Sequence, residues 1–269
     1  MSSSLRTHLA PGYLLHQVPY RETGRILDVW TREHGRLSLF ARGVRGPKAK
    51  LAPVLQSFRL LLLSWSGRGE APLLIGAEVA ASVGAAVPAP ALMACFYLNE
   101  LLLRLTSRHD PHPALFDVYH ATLECVKSGG ALEPTLRIFE KHLLGEVGYG
   151  LDLDADSSTG RRVAAGEFYQ YRPAQGLVVA SPQTPGAIAG QAVLSLAAER
   201  FESAVELEDA RRLLRSALEH CLEGRELKTR AVARSLELLA SARVAARVAP
   251  ERIASGLAPS EPVAAERGR

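Results

Sequence analysis

At 269 residues and 47% apolar, the chain can bury a sizeable core and house more than one subdomain; with no uninterrupted apolar window of about 18 residues, it is not expected to span a membrane. Its formal charge of +4 is unevenly placed: residues 1–80 carry 11 Lys/Arg against 5 Asp/Glu, and residues 81–269 carry 21 against 23. Cys95, Cys125 and Cys221 lie far apart without a CxxC pair, and no apolar run follows Arg6, which argues against a disulfide framework, a cysteine-based zinc site and a secretory signal; the expectation is a cytoplasmic protein with buried thiols.

Five β-type runs come first: Tyr13–Val18, Arg25–Thr31, Leu37–Val44, Phe58–Trp65 and Leu73–Val79. They are rich in Leu, Val, Ile and aromatics and are bounded by the turn signals Glu33-His34-Gly35, Gly46-Pro47 and Ser66-Gly67-Arg68-Gly69. Five short strands without an intervening helical pattern suit a five-stranded barrel of the OB type, with an SH3-like barrel as the alternative on spacing alone. Leu51–Gln56 reads as a connecting turn.

After the Ala/Pro linker Val83–Pro90 the period changes. Ala91–Ser107 is apolar almost all round, as in a helix buried on most sides. Pro113–Lys127 opens on proline and meets Gly129-Gly130, and Pro134–Val147 sets Leu136, Phe139, Leu143 and Val147 on one stripe, so three helices are predicted. Asp152–Gly166 reads as a solvated loop. Glu167–Tyr171 and Leu177–Ala180 read as a hairpin, followed by helices over Leu207–Leu222 and Glu226–Val248. The predicted fold is therefore α+β. It has an OB-fold barrel over 1–82, a helical domain over 83–150 and 183–248, a hairpin lobe inserted at 151–182, and a disordered tail at 249–269.

Enzyme signatures fail. There is no P-loop, no HExxH and no Gly-x-Ser-x-Gly, and Gly67-x-Gly69 lacks the context of a dinucleotide site. Asp152-x-Asp154-x-Asp156 starts like a calcium loop, but Ser157 and Val163 stand where glycine and glutamate are needed. His109 and His112 have no completing ligand set beyond Asp110. No catalytic residue, cofactor or metal is expected.

Binding has better candidates. Arg42, Arg45, Lys48 and Lys50 fall within nine residues of a Gly/Pro loop at a strand end, where cations can reach successive phosphates. Arg25, Arg36 and Arg68 extend the set, and Tyr13, Tyr20, Trp30 and Phe40 interleave with it as barrel core or as stacking surfaces. On the last helix Lys228, Arg230 and Arg234, with Arg243 and Arg247 beyond, offer either a secondary DNA surface or a solvated face. The rival readings are a protein-binding adaptor whose basic barrel meets an acidic partner, and a cryptic nuclease lacking any visible carboxylate cluster.

Several short segments, in order over residues 12–230, resemble the RecO family of bacterial recombination mediators. They include Tyr20-Arg-Glu-Thr23, Leu27-Asp-Val-x-Thr31-x-Glu33-x-Gly35-Arg36, Ala41-Arg-Gly-Val-Arg45, Leu55-Gln56-x-Phe58, Gly67-Arg68-Gly69-Glu70 and Ala77-Glu78. Later come Tyr97-Leu-Asn-Glu100-Leu-Leu, Leu136-Arg137-x-Phe139-Glu140, Gly148-Tyr149-Gly150 and Leu227-Lys228-Thr229-Arg230. The resemblance implies non-catalytic binding of single- and double-stranded DNA and strand annealing in the RecF pathway. It also implies cooperation with RecR, loading of RecA on strands coated by single-stranded DNA-binding protein (SSB), and a nucleoid-associated place in the bacterial cytoplasm. Many members of that family carry a four-cysteine zinc lobe after the Gly-Tyr segment; here Asp152–Ala180 has no cysteine, so the hairpin is expected to be held by packing alone, without zinc. The family's binding of the acidic, Phe-ended SSB C-terminal tail implies an apolar pocket rimmed by cations, for which Arg137 and Lys141 beside Phe139 are the candidates.

Overall fold

Alternation of apolar side chains closes the first five strands on themselves. The computed structural model describes residues 6–45, 49–80 and 85–232. In it, strands β1 (Arg6–Tyr20), β2 (Gly24–Thr31), β3 (Gly35–Ala41), β4 (Leu61–Ser66) and β5 (Leu73–Val79) form a closed barrel in the order β1-β2-β3-β5-β4. Every pairing is antiparallel except β3 with β5, which meet in parallel at Phe40 and Leu73. That order is the OB topology. Leu14, Leu27, Val29, Leu37, Leu39, Leu61, Leu63, Trp65 and Leu74 point inward and fill it.

The long first strand serves two partners, β4 through its first half and β2 through its second, and Gly12 is paired to both Leu61 and Thr31. A Cβ there would lie 3.0 Å from the Thr31 methyl carbon and 3.1 Å from Leu63, so a larger residue at the crossing would make these side chains give way by a few tenths of an ångström. Two predicted strands are shorter than expected. The third ends at Ala41. The fourth starts at Leu61 because Phe58, at φ +65°, turns away to pack edge-on against Phe96 at 5.0 Å.

Helices α1 (Leu92–Leu105), α2 (Pro113–Lys127) and α3 (Leu132–Glu146) follow; Pro134 is tolerated inside α3 because first-turn N–H groups have no intrahelical acceptor. A three-stranded sheet, β6 (Phe168–Arg172), β7 (Gly176–Ala180) and β8 (Ile188–Ala189), precedes α4 (Gly190–Ala197) and α5 (Ala204–Cys221). The pattern reading missed β8 and α4, which are too short to show a period. It also began α5 three residues late: Ser203 caps the helix by accepting from the Glu206 N–H at 3.2 Å and donating to the Glu206 carboxylate at 3.0 Å. Residues through Leu227 make one unit. The chain from Lys228 makes a second, described only as a helical turn over 228–232. The predicted tail 249–269 lies outside the described residues.

Barrel and helices share one core. Tyr13, Leu15, Trp30 and Phe58, outside the barrel's own filling, join Leu98, Leu102, Phe116, Tyr119, Phe139 and Leu143. Tyr13 meets Tyr119 edge-on at 5.0 Å and Phe116 at 5.6 Å, and its hydroxyl is 2.5 Å from His120 Nδ1. Asn99 donates to the Leu15 carbonyl at 3.0 Å and accepts from Tyr119 at 2.5 Å. Of the thiols, Cys95 alone is fully buried; Cys125 and Cys221 are half-buried.

The hairpin lobe is not held by packing alone. Asp156, expected in a solvated loop, is 1% exposed. Its carboxylate accepts from Thr159 Oγ1 at 2.5 Å, the Ser158 N–H at 3.0 Å and Ser158 Oγ at 2.8 Å, while the next N–H, of Ser157, is bonded to Leu177 of β7 at 2.7 Å. The Thr159 hydroxyl, followed by the Ser158 bonds, holds the Asp156 carboxyl below the usual carboxylate range.

Two stability predictions follow from these contacts. Tyr13→Ala should cost about 3–5 kcal/mol in urea unfolding, as for other large aromatic truncations in a core. For Asp156 the folded value is depressed, so its stabilisation is present above the free carboxylate value of about 4 and is lost as pH falls through the lower folded value. The urea-midpoint gap between wild type and Asp156→Asn should be open at neutral pH and narrow in strong acid; an unchanged gap would contradict the role.

Candidate nucleic-acid interface

The turn between β1 and β2 and the loop leaving β3 are tied together. The Arg45 N–H donates to the Thr23 carbonyl at 3.1 Å, and the Arg45 guanidinium reaches the Arg21 carbonyl at 3.4 Å. The β4–β5 loop returns to the same strand end, where the Phe40 N–H donates to the Pro72 carbonyl at 2.8 Å, two residues before Arg42. Arg42, Arg45, Lys50 and Arg68 are all exposed, and Arg42, Lys50 and Arg68 have no ion-pair partner among the described residues. Lys48 lies outside the described residues. Arg25 is half-buried and donates to Gln17 at 2.7 Å, so it supports the β1–β2 pairing beside the loop.

The outer face of the sheet divides in two. Towards Gly35 it is covered by the segment between α1 and α2. Gly35 permits this, since a Cβ there would fall 2.2 Å from the Asp110 carbonyl oxygen. Across this half, Arg108 donates to Ser38 Oγ at 2.5 Å and pairs with Asp28 at 3.1 Å. Arg36 belongs to the same contact and does not extend the cationic stripe: its guanidinium donates to the Thr106 carbonyl at 2.8 Å, its Nε is buried and unpaired, and burial, reinforced by Arg108, lowers its pKa. Towards Tyr20 the face is open. It presents Val18, Tyr20, Leu73 and Ile75 as exposed side chains, with Ile26 and Phe40 half-buried among them.

The four aromatics considered for stacking therefore separate. Tyr13 and Trp30 are 0% exposed and belong to the core; Trp30 stacks on His112 with centroids 6.1 Å apart. Tyr20 is 43% exposed and meets Phe40 edge-on at 5.6 Å. The residue reading passed over Arg21, whose guanidinium carbon is 5.3 Å from the Tyr20 ring centroid. Its place in the turn directly after Tyr20 was the available signal. Arg108 carried none, because its position depends on where the helical connection crosses the barrel.

The α3 candidates are engaged within the fold. Phe139 is wholly buried beneath Tyr119, and Arg137, 6% exposed, pairs with Glu140 at 3.1 Å, an acid that also accepts from Tyr97 at 2.7 Å. Lys141 pairs with Glu199 at 2.5 Å and donates to the α4 carbonyls of Leu196 and Ala197. Partial burial pushes the Glu199 carboxyl up, but Lys141 and His142 outweigh it and hold it below its ordinary value. The open cationic pocket expected beside Phe139 is thus filled by the protein's own acids. Lys228 and Arg230 sit on the helical turn of the second unit; Arg234, Arg243 and Arg247 lie outside the described residues.

Among the described residues, no three His, Cys, Asp or Glu side chains converge as a metal set. A cleft of about 390 Å³ between the lobe and α5 is lined by Tyr149, Asp152, Tyr171 and His220, without the cation cluster a phosphate chain needs.

Residues 5–83 match the family model described as Recombination protein O N terminal, and residues 89–231 match Recombination protein O C terminal. The chain is 43% identical over 242 residues to DNA repair protein RecO of Cupriavidus pinatubonensis, spanning 88% of this chain and 82% of that one. It is 43% identical over 230 residues to DNA repair protein RecO of Methylococcus capsulatus (86% and 94%), and 39% identical over 245 residues to that of Thiobacillus denitrificans (88% and 95%).

If Arg42, Arg45, Lys48 and Lys50 neutralise about four phosphates of a single strand, log affinity falls with log salt at a slope near −3, roughly 50-fold between 50 and 200 mM. Replacing all four with Ala should make the slope shallower by about 3 in a filter-binding titration, leaving only the part due to other cations such as Arg21 and Arg68; an unchanged slope would remove the loop from the interface.

Proposed function

Because the chain belongs to the RecO family, we propose that it is a non-catalytic mediator of recombinational DNA repair, binding single- and double-stranded DNA through its barrel and annealing complementary strands. The observation that carries the reading is the set of exposed cations at the open end of the outer sheet face: Arg21 and Arg45 on the bonded β1–β2 turn and β3 loop, Arg42 beside them, and Arg68 in the β4–β5 loop that returns to the same strand end, Arg42 and Arg68 having no ion-pair partner among the described residues. Loop cations neutralise phosphates without reading sequence, which suits a protein that must handle any strand. Screening of two backbones by one basic surface lowers the repulsion that slows pairing of complementary strands.

The proposal extends to RecA loading on SSB-coated DNA, with RecR and the acidic SSB tail as protein partners, in the nucleoid of the bacterial cytoplasm. No described helix is long and apolar enough to cross a membrane. Docking of the tail on α3 would have to displace Glu140 from Arg137 or Glu199 from Lys141; Phe139 takes no part, being core.

The test is annealing of complementary oligonucleotides precoated with SSB, with and without its C-terminal tail, in the presence of Mg²⁺. The expected result is annealing well above the uncatalysed rate, slowed severalfold by tail removal, with both strands intact. A background rate with wild-type protein would reject annealing, and strand cleavage would reject the non-catalytic reading.

A further inference from the structure

We propose that the open half of the barrel's outer face is a stacking platform for unpaired bases, centred on Tyr20 and Phe40, so that this face discriminates single strands from duplex. The inference rests on the DNA-binding reading above and names which part of the nucleic acid the sheet face takes. Tyr20 is the last residue of β1, its ring is 43% exposed, and Phe40 holds it edge-on at 5.6 Å, so one aromatic supports the other. Val18, Leu73 and Ile75 extend the apolar strip along neighbouring strands.

Exposed apolar side chains on a sheet face call for a ligand that is flat and apolar on its faces. The rim decides which one. Arg21, Arg42 and Arg45 stand at its edge with Arg68 in the β4–β5 loop, against the acids Glu22 of the same turn and Glu70 of that loop, so cations exceed acids at the rim and the occupant pairs an apolar body with a negative chain. An unpaired nucleotide has that combination; a duplex presents the charge but hides its base faces. The Arg108 clamp on Asp28 and Ser38 closes the other half of the face and limits the platform to a few bases. A base seated on Tyr20 takes the position of the Arg21 guanidinium, which exchanges its contact with the ring for one with the adjoining phosphate.

The experiment uses the full chain and three fluorescent probes of equal length: oligothymidylate, an abasic strand, and a duplex. Tyr20→Ala should weaken oligothymidylate about tenfold, leave the abasic strand and the duplex within twofold, and leave the salt slope unchanged. Tyr20→Phe should bind like wild type, and Tyr20→Trp should lose fluorescence on adding oligothymidylate but not the abasic strand. Equal losses on all three probes would overturn the platform, as would no loss on any or a change in oligomeric state on Tyr20→Ala. Failure of the wild type to bind any probe would instead overturn the DNA-binding reading itself.

Discussion

Tyr13 leaves the barrel wall on its outer side and disappears among Phe116, Tyr119 and His120, and Trp30 does the same against His112. The rest of the molecule depends on this outward burial. A small barrel filled by leucine and valine has a limited core of its own. Two aromatics buried against helices add several kcal/mol each and fix the angle at which the helical part is held. The bidentate Arg32–Asp117 pair at 2.9 Å lies on the surface of the same contact and adds little by comparison.

That contact has a consequence for binding. Part of the outer sheet face is consumed by the Thr106–Asp110 crossing, which Gly35 admits and Arg108 fastens. What is left open is the end where the β1–β2 turn and the β3 loop are bonded together. The interface therefore inherits its position from the packing of the helices. Charge follows the same division. Arg32, Arg108, Arg137, Arg212 and Arg215 are matched to acids, whereas Arg42, Lys50 and Arg68 have no such match among the described residues. Arg42 and Arg68, with Arg21 and Arg45, are thus exposed at the open end of the barrel.

In the lobe, buried hydrogen bonding does work that packing was expected to do. A carboxylate at 1% exposure is tolerable because Thr159 and Ser158 hydroxyls and an N–H satisfy it, and it anchors the loop beside β7. Leu153, Val163 and Leu177 of the same lobe are buried in the hydrophobic core shared with the helices, so the lobe combines apolar packing with this buried polar anchor.

Much of the architecture was legible in the residues. The five strand runs, the proline-initiated α2 and the hairpin are local patterns set by side-chain alternation, turn chemistry and capping, and the placement of positive charge is a property of composition. The short β8–α4 segment was not legible, because eight residues are too few for a helical period. The fate of individual polar and aromatic side chains was not legible either. Tyr13 and Tyr20 look alike in sequence, yet one is core and the other is surface; Arg36 and Arg42 sit near one strand, yet one is bound to a carbonyl and the other is open. The sequence alone determined which elements form and where the charge excess lies, since those depend on neighbours along the chain. Which aromatics and cations stay available was decided only by the tertiary structure, because burial and pairing depend on residues about 70 to 107 positions away.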